Sequence, residues 1–290
     1  MRTTISNGII EVTVDSAGSE LKSVKSVATG TEYIWQGSPD TFNASSPLLF
    51  PIVGRLRKAR YVLDGRIYDM NIHGFAAKMA FELVEKRDDY LCYKIVDTAD
   101  TLAQYPYHFE VYQSYRLDGA SLRIGYRVVN TNERTMFYQI GAHPAFNVPI
   151  EPSLSFEDYK VVFEEKETKP RIVLDGGMSG HSEEFLVDAD AFALSHELFA
   201  RDTLIFKKLK STYVKIVSDK DKKAVKIDFA GFPYLGIWSW PGECRYICVE
   251  PWFGADTATD NNDEFVQKEG VQSLRPGEVF TSEYGITIEE

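Results

Sequence analysis

Three ionisable residues in this chain stand in settings that suit proton chemistry. His143 follows the alternating segment 136–142 and precedes Pro144. Glu250 follows segment 245–249 and precedes Pro251. His73 follows segment 68–72 and precedes Gly74. Proline removes a ladder donor and glycine loosens the chain, so each residue is expected where a strand stops. Sites are commonly built at such positions on a rigid scaffold. A carboxylate and an imidazole make a base and an acid that both work near neutral pH. Alternation puts Glu250 on one strand face with Cys248 and Tyr246, an apolar neighbourhood in which a carboxylate needs a partner. The plainer alternatives are a hydrogen-bonded structural histidine and a solvated glutamate. His108, His181 and His196 lack such a setting and read as surface or filling residues. Asp228, inside Lys226-Ile227-Asp228, reads as a solvent-facing strand residue.

Other chemistries find little support. The chain has no Gly-x-Ser-x-Gly elbow, no Gly-rich phosphate loop and no His-Glu-x-x-His helix. His73, His143 and Glu250 are a conceivable metal set of the cupin type, but the close His-x-His spacing of such sites is missing. No metal and no cofactor are therefore expected. The three cysteines, Cys92, Cys244 and Cys248, form no second Cys/His pair at zinc-site spacing and read as buried structural thiols. Their odd number, in a chain opening MRTTISNGIIEVTV with no signal-peptide pattern, predicts reduced thiols and a cytoplasmic protein.

The elements that must hold these residues are strands. Ile10, Val12 and Val14 alternate with polar residues. Asp64-Gly65 joins segments 61–63 and 67–68 with a tight-hairpin signal. Asp118-Gly119 does the same for 111–117 and 122–129, the charged turn 219–223 for 214–216 and 225–229, and Pro276-Gly277 precedes a last strand, 284–288. Turns recur roughly every ten residues, the rhythm of an all-β sandwich or barrel. Only 98–104 and 194–199 suggest short helices. No composition break divides the chain, so residues 1–290 are expected to form a single antiparallel domain. Apolar residues make up 44% of the 290, enough for a large core. The 18 Phe, 16 Tyr and 4 Trp suit that core, and aromatic rings also pack on the C–H faces of sugars. The net charge of −11 argues against nucleic acid and anionic membranes as partners. No apolar run approaches the ~18 residues of a membrane helix.

Four segments taken together carry a resemblance: Leu49-Phe50-Pro51-Ile52-Val53-Gly54-Arg55-Leu56, Asn71-Ile72-His73-Gly74-Phe75-Ala76, Gly141-Ala142-His143-Pro144-Ala145-Phe146-Asn147 and Cys248-Val249-Glu250-Pro251-Trp252. In this order and spacing they resemble the aldose 1-epimerase (galactose mutarotase-like) family, and within it the branch found in lactose operons. The resemblance implies an all-β fold, a large antiparallel β-sandwich with few short helices and an open sugar cleft. It implies Glu250 as general base, His143 as general acid, and His73, Arg55 and Asp202 as sugar-binding residues. Arg60, five residues after Arg55, matches a second arginine of the pattern. One departure is Ala77, where many relatives continue His-Gly-Phe-Ala with an arginine that contacts phosphate in the hexose-6-phosphate branch. Lys78 and Arg57 are the nearest cationic substitutes.

The implied reaction is the interconversion of the α and β anomers of a free hexose. A base removes the C1 hydroxyl proton, an acid protonates the ring oxygen, and the ring recloses from the other face. Nothing is oxidised or transferred, so the chemistry calls for no cofactor. Glu250 is expected to be ionised, and His143 protonated after a small upward shift beside it. The alternatives are the same chemistry on a hexose 6-phosphate, which Ala77 argues against, and a non-catalytic sugar-binding module on the same fold. The expected partner is the small sugar alone, bound by a monomer or a homodimer.

Overall fold

Alternation is realised strand by strand. In Phe109–Asp118, Phe109, Val111, Tyr115 and Leu117 point inward and Tyr112, Ser114 and Arg116 outward, as a half-buried antiparallel strand requires. The computed structural model describes residues 1–290, and its strand ladders are antiparallel throughout. Fifteen strands form one sheet. Its order begins at Leu48–Leu49, Ile140–Ala142, Tyr246–Phe253, Tyr234–Trp238 and Leu204–Lys207. It ends at Val279–Glu289, Ser121–Asn130, Phe109–Asp118, Tyr90–Val96 and Glu82–Arg87.

This sheet closes over itself. Phe50, beside the first strand of the order, packs its ring 5.1 Å from that of Phe109, near the last. The two ends thus face each other across a shared core of 62 buried apolar residues. A three-stranded sheet (Arg2–Ser6, Ile10–Asp15, Glu20–Ser26) adds Ile10, Val12 and Val14 to that core, and the Tyr115 hydroxyl donates to the Ser19 carbonyl across the joint. The result is the expected large antiparallel sandwich. The hairpins Arg60–Leu63/Arg66–Asp69 and Phe109–Asp118/Ser121–Asn130 form as anticipated. Helix is confined to Ala99–Gln104, capped by Thr98, and to short 3-10 turns such as His196–Phe199.

Three local expectations need correction. Glu250 does not end a strand: Tyr246–Phe253 runs straight through Glu250-Pro251. Proline is tolerated there because the adjoining strand is broken, with Ile140–Ala142 and Ala145–Asn147 separated by His143-Pro144. Segment 136–142 is likewise two strands, and Met136–Tyr138 pairs with Gln272–Leu274 instead. The strand before His73 stops at Asp69, leaving His73 in a turn at φ +61°.

Candidate active site

Register brings the acid–base pair together. Gly141 lies opposite Trp252 and Ala145 opposite Cys248, so the break between them sets His143 opposite Glu250. The Val249 N–H donates to the Pro144 carbonyl and bridges the break (3.2 Å). His143 Nε2 lies 3.3 Å from Glu250 Oε2, and both side chains are almost wholly buried. Trp252 braces the floor. Its ring is so close to Gly141 and Gly236 on the flanking strands that a Cβ on either would stand 2.6 Å from it, and its Nε1–H donates to the Ala142 carbonyl (3.1 Å).

These groups form one wall of a cavity of about 270 Å³, which His73, Arg55, Asp202 and Asp256 also line. All five residues expected in the site therefore converge. His73 is fixed as one tautomer. The Gly54 N–H donates to His73 Nδ1 (3.1 Å), so the ring proton sits on Nε2. Burial holds the His73 pKa well below its usual value, leaving a neutral N–H donor. Arg55 Nη1 pairs with Asp202 Oδ2 at 3.0 Å. Asp202 sits at φ +70°, and its Oδ1 accepts from the Thr203 N–H (3.0 Å).

Arg60 begins the strand Arg60–Leu63 and does not line the cavity. Arg57 pairs with Asp263 at 2.8 Å, and Lys78 faces a separate hollow beside Asn71 and Asp100. Ala77 is not on the cavity wall either. His108 pairs with Asp97, His181 lies between Asp175 and Glu183, and His196 stacks on Phe156, all away from the cavity.

Several residues that shape the site carried no signal in the sequence. Phe42, from the irregular stretch after Trp35, stacks on the His143 ring (centroids 4.9 Å, 18°). Asp256 is buried and accepts the Arg55 N–H (2.7 Å). Its carboxyl touches Gly54 so closely that a Cβ there would overlap it. Buried Lys268 donates to the Val53 carbonyl (3.2 Å) and to the Ala255 carbonyl. Gln139 accepts the Val53 N–H (3.0 Å) and donates to the Glu269 carbonyl (2.6 Å). Together they clamp the Arg55 loop to the chain leaving the Glu250 strand.

Electrostatics correct the expected charge states. Burial raises the Glu250 carboxyl well above the usual range, helped by Asp202 and Asp256, and lowers His143 to about 4. Desolvation therefore favours a neutral imidazole beside a protonated carboxyl, not the ion pair. The pair holds one proton between two atoms 3.3 Å apart. Glu250 Oε1 and His143 Nδ1 are buried without a partner. One ligand atom from each of His143, Cys248 and Glu250 lies within 4.8 Å of the others.

A larger, shallower groove of about 670 Å³ crosses the outer sheet face at Tyr90, Tyr112 and Arg127. It is more open and contains no acid–base pair, so the smaller cavity is the candidate site.

The structure is thus an antiparallel β-sandwich with a buried carboxylate–imidazole pair in the wall of a small cavity. The aldose 1-epimerase family model matches residues 1–284, and this chain belongs to that family. Protein LacX (chromosomal) of Lactococcus lactis subsp. lactis is 34% identical over 294 residues, covering 98% of each chain. A galactose mutarotase related enzyme from Lactobacillus acidophilus superposes with a TM-score of 0.96 at 32% identity, covering 100% of this chain and 98% of that one. A galactose mutarotase-like protein from Lactobacillus casei ATCC 334 gives 0.93 at 26% identity, with 99% and 100% covered. No helix is long and apolar enough to cross a membrane.

Proposed function

We propose that this chain is an aldose 1-epimerase that interconverts the anomers of a free hexose without a cofactor. The observation that carries the reading is the His143–Glu250 pair, 3.3 Å apart and buried in the wall of the cavity. About 270 Å³ lies just below the ~300–1,000 Å³ of drug-sized ligand sites, which suits a monosaccharide.

In the reactive state Glu250 is the carboxylate and His143 the imidazolium. Glu250 takes the proton of the C1 hydroxyl while His143 protonates the ring oxygen, and the C1–ring-oxygen bond opens to the aldehyde. This leaves Glu250 protonated and His143 neutral, the form that burial favours. The buried ion pair is the higher-energy form, so ring opening relaxes the pair to its neutral form, and the cost of reaching the ion pair is part of the barrier. After rotation about C1–C2 the two protons return, and the other anomer is released. His73, as a neutral donor, and the Arg55–Asp202 pair hold the sugar hydroxyls and supply orientation.

The charges on the wall support a neutral substrate. The Glu250–His143 pair carries no net charge in either form, and Asp202 and Asp256 face the cavity against Arg55 alone, which is already paired. A phosphate would bring about −1.5 to −2 further charge to a site with no free cation. The reading is tested by NMR exchange spectroscopy on equilibrated glucose, galactose and glucose 6-phosphate. Enzyme-dependent α–β exchange on a free hexose, faster than on the phosphate, is expected; exchange at the buffer rate on all three sugars contradicts it.

A further inference from the structure

We propose that Cys248, His143 and Glu250 form a binding site for a thiophilic divalent cation such as zinc, occupied in competition with the proton chemistry. The inhibitory consequence rests on the acid–base reading above; the metal site itself does not. Cys248 precedes Glu250 by two residues, so alternation puts both on one face of the strand Tyr246–Phe253. Ala145 lies opposite Cys248 and packs beside it in a small buried cluster with Tyr246. The thiol is buried and has no part in the sugar chemistry.

The distances are close to those of a bound ion. Zinc takes sulfur at ~2.3 Å, imidazole nitrogen at ~2.0–2.1 Å and carboxylate oxygen at ~2.0–2.2 Å, so tetrahedral ligands stand about 3.3–3.7 Å from one another. His143 Nε2 and Glu250 Oε2 are already 3.3 Å apart. All three ligand atoms lie within 4.8 Å of one another, so the thiol must approach by on the order of 1 Å.

The donor set also selects the ion. One thiolate, one imidazole and one carboxylate suit zinc, cobalt or cadmium, whereas magnesium and calcium demand oxygen shells. Three protein ligands leave a fourth position for water, facing the cavity. Binding releases two protons to solvent, one from the Cys248 thiol and one shared by His143 and Glu250, while the metal keeps its charge and oxidation state. His143 Nδ1 lacks the carboxylate or carbonyl partner that usually orients a metal-bound imidazole. Such partners are worth ~10–100-fold in affinity, so this is a reversible inhibitory site and not a resident centre.

The test is a cobalt(II) titration of the full chain after EDTA treatment and desalting. A sulfur-to-cobalt charge-transfer absorption that saturates at one ion per chain and disappears on adding zinc is expected. It must vanish in Cys248→Ser and persist in Cys244→Ser and Cys92→Ser. If Cys248→Ser does not fold, His143→Ala replaces it and must weaken cobalt binding at least ~10-fold, the scale of even an outer metal partner. Absence of the absorption in the wild type overturns the proposal, as does its survival in Cys248→Ser or its loss in Cys244→Ser. Zinc should also slow anomer exchange by the wild type at concentrations that fill the cobalt site. If no sugar is turned over, the acid–base reading fails while the cobalt spectrum still decides the metal site.

Discussion

Replacing Glu250 by Gln separates stability from chemistry in opposite directions. The carboxyl is buried, and its pKa is raised well above the ordinary value. Such a group favours its protonated form in the folded state. Stability is therefore fully present below the unfolded carboxylate pKa and is lost as pH rises toward the folded one. At neutral pH an uncharged amide of the same shape removes that burden, so the Tm of Glu250→Gln should equal or exceed that of the wild type. The chemistry should collapse. Asp202 is committed to Arg55 Nη1 and Asp256 to the Arg55 N–H, so no spare base stands beside His143. Loss of a positioned base costs ~10²–10⁴-fold in kcat, about 2.7–5.4 kcal/mol of barrier. Polarimetry at saturating sugar gives kcat, calorimetry with the same sugar gives Kd, and a thermal melt gives the Tm. Near-normal turnover would remove Glu250 from the mechanism. A Tm well below that of the wild type would show that its carboxylate is a structural partner instead.

The pH profile of kcat/KM should be a bell whose apparent values belong to the coupled pair. Its acid limb falls near 4, where the pair takes a second proton and no base remains, and its alkaline limb lies above the ordinary carboxylate range, where the single proton leaves and no acid remains; a flat profile contradicts the shared-proton account. The 6-phosphate of a hexose should show kcat/KM at least ~10-fold below the free sugar, because each 1.4 kcal/mol of repulsion is a decade, and a preference for the phosphate would refute the argument from wall charge. Lys268→Met strips two backbone carbonyls of their donor, at ~1–3 kcal/mol per buried group. It should lower Tm and raise KM more than it lowers kcat, since the clamp positions Arg55 and does no proton transfer; an unchanged KM would show that the clamp does not govern sugar binding.

The parts of this molecule legible in the sequence are those with local causes. Alternation and Asp-Gly turns define Phe109–Asp118 and Ser121–Asn130 because their pairing is between neighbours in the chain. The ionisable residues stood out because His143-Pro144 and Glu250-Pro251 break strand chemistry locally. The inference that Glu250-Pro251 ends a strand failed because the break lies in the partner strand, which only the pairing of Ile140–Ala142 and Ala145–Asn147 with Tyr246–Phe253 reveals. The long hairpin Tyr159–Asp175/Met178–Ala193 was missed because its register shifts repeatedly and blurs the alternation. Phe42, Gln139, Asp256 and Lys268 act through partners far away in the chain, so no window of sequence contains their reason. The charge states were misjudged because desolvation depends on burial of both partners, a property of the folded cavity.

Fresh α-glucose or α-galactose loses its starting optical rotation slowly in buffer. The most direct measurement follows that decay with the wild-type protein in EDTA-containing buffer. The account predicts a first-order decay whose rate constant rises in proportion to protein concentration, at an unchanged final rotation, because the anomeric equilibrium is not altered. A decay indistinguishable from buffer with both sugars, at protein concentrations where calorimetry shows sugar bound, would make the chain a sugar-binding module and contradict the catalytic role given to His143 and Glu250.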